Sequence, residues 1–176
     1  MKRAGAALGS LLWLLIAPGV VSGLVPWWIT GWESNGESAL WLPIRVIGAA
    51  LIVVSMIVLL HAFARFAIDG LGTPAPVAPT ERLVVTGLYR HLRNPMYVAV
   101  VSIIVGQALL LLQPILLPYA AVIAAVSLAF VKGYEEPALR RQFGADYDAY
   151  RSAVPGWWPR WTAWQRDDAG PPRSSP

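Results

Sequence analysis

Long apolar stretches separated by short charged clusters make up the first three quarters of the chain. Residues 4–32 contain no ionisable side chain, and residues 46–64 contain only His61. Residues 94–131 contain nothing that is charged at neutral pH. A helix needs about 20 apolar residues, each rising 1.5 Å, to cross the roughly 30 Å hydrocarbon core of a bilayer. Each of the three stretches is therefore long enough to span a membrane.

The third stretch is too long for one span. Its 38 residues would form a straight helix of roughly 57 Å. Gln113 and Pro114 lie at its middle, and proline removes a backbone donor and disfavours helix in the residue before it. We expect a helical hairpin there. The sequence thus predicts an all-α, polytopic membrane protein of about four transmembrane helices, the first two at about residues 6–28 and 42–64.

The basic residues predict the orientation, because Lys and Arg near span ends accumulate in the cytoplasm. With four spans and the N-terminus inside, all but Arg45 of the 14 Lys and Arg residues are cytoplasmic. We expect a multi-pass protein of the cell membrane with both termini cytoplasmic. The alternative is that Lys2 and Arg3 open a signal peptide, but the apolar run continues past a usual length.

Composition narrows the function classes. Hydrophobic residues make up 56% of the chain and charged residues 14%, well below the quarter or so that is charged in soluble domains. The net charge of +4 follows from the topology, so we expect a lipid bilayer and no nucleic acid as partner. Cysteine is absent and there are two histidines, so no metal site is expected.

Two parts of the chain have another character. Residues 69–80, rich in Gly and Pro, predict a loop. After Pro137, apolar residues recur every three or four positions and predict a C-terminal interfacial amphipathic helix: Leu139, Phe143, Tyr147, Tyr150 and Val154. We expect three parts: two N-terminal spans (1–68), a core of loop, hairpin and amphipathic helix (69–155), and a tail (156–176) that its tryptophans anchor in the interface.

Two polar clusters next to the hairpin could carry chemistry. One contains Tyr89, Arg90, Arg93, Asn94 and Tyr97, and the other is Glu135 with Glu136. Taken alone, each cluster has an explanation that involves no chemistry. Arginines are expected on the cytoplasmic side of a span, and glutamates are favourable at the N-terminus of a helix. A tight hairpin would bring both clusters to one face, and acidic side chains near a membrane are usually paired or functional. Together they predict a polar pocket at the mouth of the hairpin.

These motifs resemble the isoprenylcysteine carboxyl methyltransferase family, which is related to the phospholipid N-methyltransferases. The resemblance covers about residues 72–155 and rests on the run LVVTGLYRHLRNPMY, a helical hairpin, and then EE, L, FG, Y, Y and VP. It implies an S-adenosylmethionine site facing the cytoplasm and a membrane lipid or lipidated small molecule as methyl acceptor. It implies cofactor-binding roles for Leu83, Val84, Tyr89, Asn94, Pro95, Met96, Tyr97 and Glu135. Arg93 would hold the loop or face a carboxylate, and Glu136 or a tyrosine is a candidate proton acceptor where the substrate is a phospholipid amine.

Two positions depart from the family pattern. Asn94 stands where many relatives have histidine, and Val131 stands where members acting on prenylated cysteine have an arginine suited to a carboxylate. Methylation of a carboxylate is the first expectation and of a phospholipid amine the alternative. A membrane NADPH-dependent reductase of the sterol type, with Arg82, Arg90 and Arg93 around the phosphates, and a non-catalytic membrane scaffold also stay open.

Overall fold

All regular secondary structure that the described residues form is helical, in a computed structural model that describes residues 16–36, 38–69 and 83–165. The helices are α1 Ile16–Thr30, α2 Leu42–Asp69, α3 Pro95–Leu111, α4 Leu116–Phe130, α5 Glu136–Phe143 and α6 Ala145–Ala153. A π turn over Val20–Leu24 lies within α1, and another over Val131–Glu135 joins α4 to α5. A 3₁₀ turn, Ala39–Trp41, precedes α2, and another, Gly87–Arg90, precedes α3.

Two segments are long and apolar enough to cross a membrane, Ala39–Arg65 and Leu116–Phe143. The apolar helices α1 and α3 are shorter. The all-α class is thus confirmed for the described part of the chain, and four spans stay a prediction. The first half of the first predicted span and the Gly/Pro loop at 70–80 lie outside the described residues.

The helical hairpin predicted at Gln113 and Pro114 is confirmed. Helix α3 ends where Leu112 adopts a left-handed conformation, with φ of 52°. The backbone N–H of Gln113 then donates to the carbonyl of Ala108 over 3.0 Å, and α4 begins at Leu116. The chain therefore reverses within four residues, and α4 returns toward the face from which α3 started.

Helices α2 and α3 pack closely because both carry glycine at their crossing. A Cβ atom on Gly48 would lie 2.5 Å from the backbone nitrogen of Leu110, and one on Gly106 would lie 2.9 Å from the carbonyl oxygen of Gly48. Small residues let helices approach in this way inside a membrane, where dispersion contacts replace the hydrophobic effect between helices. The contact extends to a buried core of α2, α3 and α4 side chains that includes Leu59, Ile104 and Leu116.

The π turn in α1 ties this helix to the others. Such a turn interrupts the regular hydrogen-bond ladder of an α-helix. The carbonyl of Val21 accepts from the hydroxyl of Tyr119 over 2.8 Å, and that of Ser22 accepts from Nε2 of Gln107 over 2.6 Å. The amide oxygen of Gln107 also accepts from Nε1 of Trp32 over 3.3 Å. Gln107, which is buried, thus links α3 to α1 and to the turn that follows α1 by one hydrogen bond each.

The prediction of a single amphipathic helix after Pro137 is wrong in one respect, because the segment forms two helices, α5 and α6. Gly144, with φ of 52° and ψ of −125°, ends α5 and starts α6. Only glycine adopts this conformation without strain. The predicted apolar stripe is also covered by protein, because Tyr147, Tyr150 and Val154 bury themselves against Trp164. Whether α5 and α6 lie in the membrane interface stays a prediction.

We expect Gln107→Leu to lower the free energy of unfolding by about 1 to 2 kcal/mol, because it leaves a carbonyl of α1 and the indole N–H of Trp32 without partners. Gln113→Leu is the matched control, since its one hydrogen bond, to the carbonyl of Glu33, is exposed. We expect this control to cost less than about 0.5 kcal/mol. Reversible unfolding in detergent measures both, and equal losses would contradict the assignment.

Candidate functional site

A cavity of about 260 Å³ lies between α1, α3 and α4, with one polar end. The polar end is formed by Tyr89, Asn94, Tyr97 and Glu135, with Arg93 beside them. The remaining wall is apolar except for Ser127, and its other residues are Ala17, Pro18, Val21, Phe63, Pro95, Met96, Val100, Ile123, Val126 and Phe130. The hairpin therefore brings the two predicted polar clusters together, at the head of an apolar channel.

The Tyr97 hydroxyl donates a short hydrogen bond to Oε1 of Glu135, the contact that joins the two clusters. Tyr97 lies in the first turn of α3, and Glu135 ends the π turn that follows α4. A π turn inserts one extra residue, which rotates every later side chain by about 100° relative to a continuous α-helix. This turn therefore sets which face of the helix carries Glu135.

Asn94 has an unsatisfied donor at the cavity wall. Its side-chain Nδ2 is buried and makes no hydrogen bond to the described residues. Its backbone is fixed, because its N–H donates to the carbonyl of Gly156 over 3.2 Å. A buried amide donor without a partner costs about 1 to 3 kcal/mol, so a ligand oxygen is the expected partner.

Arg93 is occupied by the protein itself. Its Nε donates to the carbonyl of Val154 over 2.8 Å, and one terminal nitrogen contacts Oε1 of Glu136 at 2.8 Å and the hydroxyl of Tyr147 at 3.3 Å. Glu136 also pairs with Arg151 at 3.1 Å. The side chains of Arg93 and Glu136 are only 14% and 15% exposed. Arg93 is thus a hub that fixes the loop, and Glu136 is neutralised by two guanidinium groups.

The C-terminal segment lies along the loop that carries the site. The backbone N–H of Arg93 donates to the carbonyl of Pro155 over 3.0 Å. In the reverse direction, the backbone N–H groups of Arg160 and Trp164 donate to the carbonyls of His91 and Arg90, each over 3.0 Å. Trp164, predicted to anchor in the membrane interface, is 3% exposed and packs on Tyr150. In the sequence, a tryptophan that docks on the protein looks the same as one that anchors in the membrane interface.

The hydroxyl of Tyr150 links α6 to the 3₁₀ turn before α3, since it donates to the carbonyl of Tyr89 over 2.6 Å. Burial raises the pKa of the Tyr150 hydroxyl, and burial followed by the neighbouring Tyr150 raises that of Tyr89. Both phenols therefore stay neutral over the physiological range. Tyr89 presents an uncharged ring to the cavity.

The structure separates the residues that the sequence singled out. Arg93, Tyr89, Asn94, Pro95, Met96, Tyr97 and Glu135 line the cavity. Leu83 instead packs on the cluster of Tyr150 and Trp164, and Val84 is buried beside Ala62 and Tyr89. Glu136 does not line this cavity and lies instead in a separate groove with several basic side chains. The functional role of each of these residues stays a prediction.

Sequence reasoning missed the contribution of the N-terminal helices. Ala17, Pro18 and Val21 of α1 and Phe63 of α2 line the apolar part of the cavity. Nothing in an apolar helix distinguishes a residue that faces a cavity from one that faces lipid. The π turn in α1 also left no signal in the sequence.

Comparison with known proteins identifies one family. The model of the family described as phospholipid methyltransferase matches residues 44–146, which are 103 of the 176 residues. The match begins in α2, extends through the hairpin and ends at the start of α6. A search of curated protein sequences finds no significant match.

We expect Glu136→Gln to lower the free energy of unfolding by about 3 kcal/mol, since it leaves the largely covered guanidinium of Arg93, 14% exposed, without its counter-charge. The control is Asp148→Asn, which removes the exposed pair of Arg140 and Asp148, 55% and 49% exposed. We expect less than about 1 kcal/mol there. Thermal or denaturant unfolding in detergent measures both losses, and an unaffected Glu136→Gln protein would refute the role of Glu136 in this hub.

Proposed function

We propose that this chain, which belongs to the phospholipid methyltransferase family, transfers a methyl group from S-adenosylmethionine to a membrane lipid. The family implies a membrane methyltransferase, and the cofactor and the acceptor are the proposal. The observation that carries it is the cavity itself, in which polar groups from both clusters meet at the head of an apolar channel.

The residues at the polar end fit S-adenosylmethionine. This cofactor supplies a methyl group already activated on a cationic sulfonium and also bears a carboxylate and an adenosine. The orphan Nδ2 of Asn94 would donate to an oxygen of the cofactor, and the carboxylate of Glu135 would attract its positive charge. Tyr89 offers an aromatic face. Tyr97 would hold Glu135 in place through its hydroxyl.

The apolar part of the cavity suits the chain of a lipid acceptor. Val126 lines it and is nevertheless 60% exposed on the outer surface of α4, so the channel opens sideways between α1 and α4. On our topology that opening faces the bilayer, and the polar end lies at the cytoplasmic interface. A lipid could enter with its chain in the channel and its head group at Tyr97 and Glu135.

The charges favour an amine over a carboxylate as methyl acceptor. Arg93, which the resemblance predicts to hold the loop or face a carboxylate, donates through Nε to Val154 and through one terminal nitrogen to Glu136 and Tyr147. Val131 is 2% exposed and is not among the residues that line the cavity. The charged group that faces the cavity without an ion pair is Glu135, which suits an ammonium head group. Methylation of a carboxylate is the alternative, as in the isoprenylcysteine enzymes.

An ammonium acceptor must lose a proton before its nitrogen can act as a nucleophile. Glu135 is placed to accept that proton, and Tyr97 could pass it on. Glu136, the candidate in the sequence, is held between Arg93 and Arg151 instead. We therefore propose that Glu136 positions the loop and that Glu135 contacts the reactants.

A reductase is less well supported. Of the three arginines proposed for NADPH phosphates, Arg82 lies outside the described residues, Arg90 lines a different cavity and Arg93 is engaged. Titration of the purified protein with both nucleotides separates the two functions. Binding of NADPH without binding of S-adenosylmethionine would reject the methyltransferase.

Membranes containing the protein should incorporate labelled methyl groups from S-adenosylmethionine into the lipid fraction. We expect Tyr97→Phe and Glu135→Gln each to lower the rate at least about 100-fold, because both remove groups at the reacting centre. Asn94→Ala should raise the Kd of S-adenosylmethionine about tenfold, the effect of one lost hydrogen bond to a charged group. Tyr134→Phe is the matched control, because Tyr134 is 47% exposed and does not line the cavity, although its ring stacks on the wall residue Phe130. Full activity of Tyr97→Phe and Glu135→Gln would reject the site.

Val126→Trp tests the route of the acceptor. We expect it to raise the KM for the lipid acceptor severalfold and to leave the Kd of S-adenosylmethionine unchanged, because the bulky ring closes the lateral opening far from the polar end. Val122→Trp is its control, since Val122 lies one helical turn away, is 58% exposed and does not line the cavity. An equal KM in the two variants would contradict entry between α1 and α4.

Assays with a phosphatidylethanolamine and with a prenylated cysteine distinguish an amine from a carboxylate as the methyl acceptor.

A further inference from the structure

A second cavity of about 580 Å³ lies beside the segment 87–94, the loop before α3, on the other side from the first cavity. Its walls come from α2, from the 3₁₀ turn before α3 and from the docked C-terminal segment: Ile57, Val58, His61, Arg65, Gly87, Leu88, Arg90, His91 and Ala163. It shares no lining residue with the first cavity. Tyr89 and Arg90 are neighbours in the chain, yet Tyr89 faces the first cavity and Arg90 the second.

The second cavity is basic at one end and apolar at the other. Two arginines and two histidines line it, and the described residues of its wall include no acidic side chain. Ile57 is 63% exposed and lies one helical turn before His61, on the face of α2 that runs into the membrane. An occupant that complements both ends carries a negative charge beside an apolar chain.

Two of the basic side chains have unused hydrogen-bonding capacity. Arg90 donates to the carbonyl of Trp164 through Nε over 2.6 Å, which orients the guanidinium, and its two terminal nitrogens make no hydrogen bond to the described residues. His61 makes none to them either. His91 is oriented by the 2.9 Å contact of its Nδ1 with the carbonyl of Arg160. Backbone carbonyls of the C-terminal segment therefore hold two of the four basic side chains, Arg90 and His91, in fixed orientations.

The backbone leaves this cavity open. Gly87 adopts a positive φ of 56°, and a Cβ atom there would lie 2.7 Å from Nε2 of His61 and 3.2 Å from Nε of Arg65. Any larger residue would push both side chains out of place. Glycine at this position therefore keeps the loop against α2 and the two basic groups at the cavity wall.

We propose that this cavity binds the phosphate of an anionic membrane phospholipid, with an acyl chain along Ile57 and Val58. Guanidinium groups bind phosphate oxygens through parallel N–H donors, and the apolar end matches a chain that remains in the bilayer. The bound lipid would be a second lipid, separate from the methyl acceptor, and the proposal does not depend on methyl transfer.

The test titrates the full chain, in neutral detergent, with short-chain phosphatidylglycerol, short-chain phosphatidylcholine and inorganic phosphate. Binding is read by native mass spectrometry and by the rise in Tm that a ligand of the folded state produces. We expect phosphatidylglycerol to bind about tenfold more tightly than phosphatidylcholine, because it carries net negative charge. Saturation by inorganic phosphate alone in the same concentration range would overturn the lipid as occupant.

Variants locate the site. His61→Gln with Arg90→Gln should weaken phosphatidylglycerol binding about tenfold or more. The control Lys132→Gln removes one positive charge from the groove that contains Glu136, outside the second cavity, and should leave binding unchanged. Should the double variant fail to fold, His61→Gln alone should weaken binding about threefold. Wild-type affinity in the folded variants, or an equal loss in Lys132→Gln, would overturn the proposal.

Discussion

The structure depends on one constraint, that polar groups placed at or within a bilayer must find partners inside the protein. The carbonyls of the π turn in α1 meet Tyr119 and Gln107, and the carbonyls at the end of α6 meet Arg93. Each of these contacts joins segments far apart in the chain. Satisfaction of the backbone is therefore also what assembles the helices, in a setting where apolar contact alone discriminates weakly.

One exception to this rule lies in the wall of the first cavity. Among the buried side-chain atoms without a partner, Asn94 Nδ2 is the one whose residue lines that cavity. Its backbone is held by Gly156 and its neighbour Arg93 by four hydrogen bonds, so the loop that carries the amide is fixed. A rigid loop with one free donor is a preorganised binding site, since the ordering entropy has been lost during folding rather than at binding.

Sequence patterns could predict the architecture because charge segregation and proline act locally. The apolar stretches predicted the helices, and Gln113 with Pro114 predicted the hairpin that joins Tyr97 to Glu135. The same patterns could not predict the break at Gly144, because a glycine within an amphipathic stripe is compatible with a continuous helix. They also could not predict that Trp164 is buried, since tryptophan suits both a membrane interface and a protein core. The π turns are set by long-range contacts and leave no local pattern.

The distribution of charge explains how one short loop can serve two cavities. Arg93 and Arg151 neutralise Glu136, so Glu135 is the carboxylate that remains for the first cavity. On the other side of the loop, Arg90 faces the second cavity, whose described lining residues include no acidic side chain. The two faces thus have opposite preferences, cationic on one and anionic on the other. Because the tail bonds to the backbone of Arg90, His91, Arg93 and Asn94 in turn, it fixes which side chain faces which cavity. The C-terminal segment is therefore a structural part of both sites, although its own side chains line the first cavity nowhere in the described structure.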